Sequence, residues 1–152
     1  MRSIGNTCGF SLLELIISIA IMGVLAGIAV PNYISYLPKA RLNGATTTVM
    51  ADLMSARMKA IKLGKRTKVF FVNSTQYTIC DDANGDGTVA SGEGDVLMRD
   101  IQSEYMDVTI SSTNNPIFHP RGTASNLATV TFQNGGGSKS LTVNIAGMVK
   151  IQ

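Results

Sequence analysis

Two periodicities divide the chain. From Phe10 to Val30 there are 21 residues of nearly unbroken apolar character with a single charge, Glu14. At 1.5 Å per residue a helix of that length measures roughly 30 Å, the thickness of a bilayer core. Pro31 and Pro38 follow, and a proline lacks the N–H that a helix interior uses, so the pattern predicts an interruption or bend at each. From about Lys39 to Leu63 apolar residues return at steps of three or four, at Leu42, Ala45, Val49, Leu53, Ala56, Ala60 and Leu63. That spacing predicts one amphipathic helix face, suited to packing on a sheet and closed by Gly64.

After Gly64 the pattern shortens to strands. Lys68–Val72 and Gln76–Cys80 flank Asn73-Ser74 and predict a hairpin. Further strands are expected over Val96–Ile101, Tyr105–Ser111, Ile117-Phe118, Leu127–Phe132, Ser140–Ile145 and Val149–Ile151, with a glycine-tipped loop over Gln133–Lys139. The predicted class is α+β: a long N-terminal membrane-spanning helix over 10–30, an amphipathic continuation over 31–64 packed on a β-rich globular head, and that head over 65–152.

Within the apolar run, Glu14 is the anomaly. An ionised carboxylate near the centre of a span costs about 2.5–3.5 kcal/mol and ordinarily has a partner. A cut after Gly9 would give Phe10 a free α-amine four residues earlier, on the same helix face as Glu14 or facing it from an adjacent helix. The alternative is a Glu14 at headgroup level with no specific role. Gly23 and Gly27 form a Gly-x-x-x-Gly pair that lets helices approach closely; small residues are also common in such helices for no specific reason.

Composition narrows the classes. A formal net charge of +3 over 152 residues does not by itself imply a nucleic-acid partner. Beyond the apolar run about 120 residues remain, enough for one small domain. The apolar core is longer than the roughly 7–15 residues of an ordinary secretory signal. Of the two cysteines, Cys8 lies ahead of the apolar run, and Cys80 is expected as a buried apolar thiol.

Asp82-Ala83-Asn84-Gly85-Asp86-Gly87-Thr88-Val89-Ala90-Ser91-Gly92-Glu93 has the spacing of a calcium loop. Its candidate donors are the side chains of Asp82, Asn84, Asp86 and Glu93 and the Thr88 carbonyl, with Gly87 at the sharp turn. The flanks read as strands rather than helices, so a polar hairpin loop is the alternative, and Ca2+ would act structurally. Arg57, Lys59, Lys62, Lys65, Arg66 and Lys68 form a run without acids, whereas Asp81 to Asp107 holds eight acids and one base, Arg99. This predicts a dipolar head whose opposed patches meet neighbouring molecules, or else a merely solvated surface. The single histidine, His119, stands far in sequence from Cys80. No nucleophile elbow, zinc motif or phosphate loop accompanies either residue, so no enzyme is predicted.

Gly9-Phe10-Ser11-Leu12-Leu13-Glu14-Leu15 with the apolar run and Pro31 behind it resembles the N-terminus of type IV prepilins and type II secretion pseudopilins. Cys8 stands where that family often has Lys or Arg. The resemblance implies a prepilin leader over 1–9, cleavage between Gly9 and Phe10 by a prepilin peptidase, N-methylation of Phe10, and a docking role for Glu14 in filament assembly. It implies an inner-membrane, single-pass subunit whose head faces the periplasm before it joins a filament. Other pilins or pseudopilins and an inner-membrane assembly platform are the implied partners. The basic helix end, Phe118-His119-Pro120-Arg121-Gly122, and the closing Val143–Gly147 segment resemble minor pseudopilins of the GspH/FimT type. The implied function is initiation or capping of a type IV pilus or type II secretion pseudopilus, with a pilus-borne DNA-uptake or surface receptor as the alternative. Some relatives of that type bind DNA through a basic tail. Here Gly147–Gln152 carries one base, Lys150, which points away from nucleic acid.

Overall fold

The computed structural model describes residues 10–152, and residues 1–9, the expected leader, lie outside the described residues. Helix α1 runs over Leu12–Leu63. Nine strands follow: β1 (Thr67–Phe71), β2 (Gln76–Asp81), β3 (Leu97–Asp100), β4 (Thr109–Ser112), β5 (Ile117–Phe118), β6 (Ala124–Ser125), β7 (Thr129–Asn134), β8 (Gly137–Val143) and β9 (Val149–Ile151). By internal contacts the chain divides into one unit ending at Tyr36 and a second spanning Leu37–Gln152.

In the first unit every residue from Phe10 to Tyr36 is exposed. Of the interruption or bend expected at Pro31 and Pro38, neither proline produces an interruption, and the helix runs on through both. One missing N–H leaves one carbonyl of the ladder free, and the hydrogen bonds on either side carry the helix through.

The second unit is built on the C-terminal half of α1. Leu42, Ala45, Val49, Leu53, Ala56 and Ala60 are buried as the spacing predicts. Leu63 departs from that face and is 47% exposed, because the helix stops there and Gly64, at φ 65°, turns the chain away. Against this face stand two antiparallel sheets, ordered β3-β2-β1-β5-β6 and β4-β7-β8-β9. Val69, Tyr77, Phe118, Val130, Phe132 and Leu141 supply much of the shared core. The backbone bond from Ala124 N–H to the Ile145 carbonyl, 2.9 Å, stitches the end of one sheet to the segment leaving the other.

Several strand limits differ from the sequence pattern for local reasons. The β1–β2 hairpin pairs Lys68 with Cys80, and Asn73 Oδ1 closes its turn by accepting from the N–H groups of Thr75 and Gln76, both 2.8 Å. The loop expected over Gln133–Lys139 shrinks to Gly135-Gly136, with Asn134 paired to Gly137. Asn134 Oδ1 takes the Gly136 N–H at 2.9 Å, so the turn is tighter than a count of polar residues implied. Strand β3 stops before Ile101 because Asp100 caps a short 3-10 turn over Ile101–Ser103. The segment from Tyr105 bends through a Val108 N–H to Tyr105 carbonyl bond of 3.0 Å before β4 begins. The two-residue strand β6 has no signal in the pattern.

Asp52 is the charged exception on the buried helix face. Tyr77 Oη donates to its Oδ2, and Arg99 donates through Nε at 3.0 Å and through Nη2 at 3.3 Å. The helix is thereby tied to β2 and β3 at one point. Burial, reinforced by the Asp52 carboxylate, pushes the Tyr77 phenol far above its ordinary range, so it stays a proton donor. Asp52→Ala leaves the fully buried Tyr77 hydroxyl and the Arg99 guanidinium without this partner and is expected to cost about 3 kcal/mol. Urea unfolding of the 37–152 unit measures it, with Asp52→Asn expected to lose less. A loss below about 0.5 kcal/mol, the range of an ordinary surface change, would show that the cluster contributes little.

Candidate assembly surfaces

The first surface is the apolar helix. Ser11 sets its start by accepting at its carbonyl from the N–H groups of Glu14 (3.1 Å) and Leu15 (3.2 Å). Glu14 therefore lies in the first turn, where the unpaired N–H groups of a helix favour negative charge. Ser18 Oγ donates to the Glu14 carbonyl at 2.7 Å, leaving the carboxylate of Glu14 outside that bond. Phe10 is 82% exposed, while Gly9, on the other side of the expected cut, lies outside the described residues. A Cβ added at Gly23 or Gly27 would meet nothing within 4 Å, so the notch they make is open. Helix α1 is the one element among the described residues long and apolar enough to cross a membrane.

The second surface is the 82–93 loop. Asp82 is buried, and its two carboxylate oxygens accept from Gly85 N–H (2.7 Å) and Gly87 N–H (3.0 Å). Asn84 Oδ1 accepts from Asp86 N–H at 2.9 Å. Asp86 Oδ1 accepts from the Thr88 N–H (2.7 Å) and hydroxyl (2.6 Å), and these bonds hold its carboxyl below the usual range. Glu93 reaches back across the loop, taking Ala83 N–H (3.1 Å) and Asn84 N–H (3.2 Å) on Oε1 and Ala90 N–H (2.9 Å) on Oε2. Asp82, Asn84, Asp86, Thr88 and Glu93 thus belong to one loop, as their spacing requires. As folded, however, their oxygens close the loop on itself. Among the described residues no three His, Cys, Asp or Glu side chains converge on a point where a metal ion could sit.

Part of the basic run beside this loop is bonded internally, Lys59 to acids and Lys65 and Arg66 to carbonyls. Lys59 Nζ lies 2.9 Å from Asp81 Oδ1 and 3.2 Å from Asp95 Oδ2. Lys65 Nζ donates to the Ala83 carbonyl at 2.8 Å, and Arg66 donates to the Gly87 carbonyl. These bonds lock the end of α1 to the acidic loop. Arg57 plays a parallel part for the Phe118–Gly122 element. Its Nε donates to the Gly122 carbonyl at 2.8 Å and its Nη2 to the Ala146 carbonyl at 3.3 Å. Gly122 (φ 79°) and Gly147 (φ 71°) both hold left-handed backbone there, and a Cβ at Gly147 would sit 2.9 Å from Arg57 Nε. The sequence resemblance marked both turns. The Arg57 bridge between them, and the Asp52 cluster, had no signal beyond an arginine in a basic run and an acid on an apolar face.

His119 is placed as a structural residue: its Nε2 lies 2.8 Å from Ser125 Oγ, within the turn that Gly122 closes. Cys80 is buried as expected, and its Sγ accepts from Gly92 N–H at 3.4 Å.

The Lys59–Asp81 pair makes stability pH-dependent at both extremes. Burial alone would lower Lys59, but its bonds to Asp81 and Asp95 outweigh it and the ammonium stays charged above its ordinary 10.5. Burial alone would raise Asp81, but Lys59 and the Asp95 N–H outweigh it and the carboxyl stays charged below 3.8. The Asp81 contribution is complete above 3.8 and disappears as pH falls through its lower folded value; the Lys59 contribution is complete below 10.5 and disappears as pH rises through its higher folded value. Thermal melts should therefore show the gap between wild type and Asp81→Asn closing below pH 3.8, and that for Lys59→Met closing above 10.5. Gaps that are independent of pH would contradict the pairing.

Comparison with known proteins matches both halves of the chain. The family model for the type II transport protein GspH matches residues 45–148, which takes in most of the buried half of α1 and strands β1 to β8. The prokaryotic N-terminal methylation motif matches residues 5–30. A fimbrial protein of Pseudomonas aeruginosa is 34% identical over 98 residues, covering 53% of this chain and 63% of that protein. The chain thus spans a little under two thirds of that relative. Among solved structures, the type IV minor pilin FimU of Pseudomonas aeruginosa superposes with a TM-score of 0.58 at 17% identity, over 75% of this chain and 90% of FimU. The minor pseudopilin EpsH from the type 2 secretion system of Vibrio cholerae gives 0.56 at 10% identity, over 74% and 96%. At such identities the superpositions establish a shared fold: a long helix carrying antiparallel sheets. With its model matched over most of the head, the chain belongs to the GspH family of pilin-like proteins.

Proposed function

We propose that this chain is a minor pilin or pseudopilin, a structural subunit that helps initiate or cap a type IV pilus or a type II secretion pseudopilus. The observation that carries the proposal is the segment Phe10–Tyr36. All of it is exposed, and Glu14 is its one charged side chain. In the inner membrane, lipid covers that surface; in a filament, the helices of other pilins or pseudopilins cover it. Prepilin peptidase cleaves Gly9–Phe10, the Phe10 amine is methylated, and Glu14 pairs with such an amine as the helix docks. The assembly platform in the inner membrane extracts the subunit, and the head stands on the periplasmic side. No catalytic role is assigned, since His119 and Cys80 are both held within the fold. The receptor reading has less support: the closing segment Gly147–Gln152 carries one base, Lys150, and Arg57, Lys59, Lys65, Arg66 and Arg99 are bonded within the chain.

A deletion strain and a Glu14→Val allele at the native locus test this reading. Deletion is expected to reduce surface pili counted by electron microscopy, or to reduce the secreted proteome, and the affected output identifies the machine. The Glu14→Val chain is expected to be processed to a Phe10 N-terminus by mass spectrometry yet to be depleted from sheared filaments at least tenfold, the loss of about 1.4 kcal/mol of docking energy. Unchanged pili and secretion, or a chain that retains residues 1–9, would overturn it.

For the 82–93 loop we propose Ca2+ as a structural ligand of Asp82, Asn84, Asp86, the Thr88 carbonyl and Glu93. The donor spacing supports it, as do Gly85 and Gly87, whose positive φ turns the chain between donors. Those oxygens must give up backbone N–H partners to bind a cation, so the expected affinity is that of extracellular modules, about 10⁻⁴–10⁻³ M. Millimolar calcium should raise the Tm of the 37–152 unit, and Asp86→Ala should remove the rise. An identical Tm in calcium and in chelator would leave the loop as a self-capped turn.

A further inference from the structure

One basic rim of the head is left unpaired, and chain connectivity fixes it close to the apolar helix. Lys39 follows Tyr36 by three residues. Three residues reach no more than about 10 Å, so Lys39 stays within that distance of Tyr36 whatever direction the head takes. Tyr33 and Tyr36 are 64% and 63% exposed, and tyrosines of this kind gather at the membrane–water boundary.

Within the head, the β7–β8 turn is fastened to the same point. Asn134 Nδ2 donates to the Pro38 carbonyl at 2.7 Å. Gly136 lies so close that a Cβ there would stand 2.9 Å from Lys39 N and from Pro38 Cβ. Lys139 is thereby brought beside Lys39, and the two line a groove of about 300 Å³ together with Asn43 and Ser138. Asp107, linked to this rim through Asn134, is already engaged. Its Oδ1 lies 3.4 Å from Arg41 Nη1, and its Oδ2 accepts from Asn134 Nδ2 at 3.1 Å. Among the described residues neither Lys39 nor Lys139 forms an ion pair.

We propose that Lys39 and Lys139 bind the phosphate groups of anionic phospholipids and hold the head against the bilayer surface before the subunit enters a filament. The proposal rests on residues 10–30 being the membrane helix, with Tyr33 and Tyr36 at its boundary. Two ammonium groups on flexible stems, at headgroup depth, suit phosphate as point charges and can extend toward it along their alkyl chains. The negative potential of an anionic leaflet adds to the attraction and falls off within a Debye length. A contact of this kind is reversible, as a resting state must be.

The test uses the full chain in nanodiscs of phosphatidylcholine alone or with about one-third phosphatidylglycerol. Amine acetylation is followed at each lysine by mass spectrometry. Phosphatidylglycerol is expected to slow modification of Lys39 and Lys139 about fivefold relative to the exposed Lys62 and Lys150, and about 0.5 M salt to abolish the difference. Lys139→Glu should weaken the protection of Lys39. Equal rates in the two bilayers, with the chain still resistant to carbonate extraction, would overturn the proposal and leave the membrane helix standing. A chain stripped by carbonate would remove both. Protection by inorganic phosphate in phosphatidylcholine discs would assign the site to a free anion and overturn the lipid assignment.

Discussion

The burial of one narrow face on α1 governs the head. Between Leu42 and Ala60 that face combines larger residues (Leu42, Val49, Leu53) with small ones (Ala45, Ala56, Ala60). The small residues let the sheets come close enough for Tyr77, Phe118 and Phe132 to be completely buried. Gly44 belongs to the same constraint. A Cβ there would stand 2.5 Å from the Tyr105 ring, whose hydroxyl lies 3.0 Å from Thr48 Oγ1. Because the contact is tight, each polar group trapped in it needs a partner, and the Asp52–Tyr77–Arg99 cluster is the answer to that need at the centre of the face.

The same helix shows what was legible in the sequence. Periodicity located the buried face at six of its seven positions, since burial on a helix repeats every three or four residues. It placed the hairpin over β1 and β2 to within a residue or so. It missed what depends on single side chains acting at a distance. Asp100 converts the end of a strand into a capped turn, and Asn134 tightens a glycine-rich loop into two residues. Proline at 31 and 38 carried less weight than its propensity, because a long helix can lose one bond and continue.

The functional surfaces divide in the same way. The apolar helix and Glu14 are local features and stand out in a single reading of the chain. The charge pattern of the head was visible but ambiguous, since a run of lysines beside a run of acids describes equally a surface dipole and an internal lock. Geometry shows the lock: Lys59 faces Asp81 and Asp95, and Lys65 and Arg66 cap carbonyls of the acidic loop. The calcium spacing is ambiguous in a similar sense. Carboxylates placed to cap the N–H groups of a tight loop lie at nearly the spacing that a cation would need.

Magnitudes then assign different tasks to the two regions. A fully buried Leu or Ile side chain is worth about 1.5–3 kcal/mol, whereas an exposed ion pair is worth about 0–1 kcal/mol. The exposed Leu, Ile and Val side chains of residues 12–30 therefore outweigh any polar contact the head can make. Apolar coverage does not discriminate between one partner and another, because any hydrophobic helix or lipid satisfies it. Glu14 does discriminate: a carboxylate within such a surface penalises every arrangement that leaves it unpaired. In the proposed assembly the helix would supply the drive to associate and Glu14 would set the register in which association is tolerated, while the head, cross-linked by Arg57, Lys59 and Asp52, would present the surface on which partner choice depends.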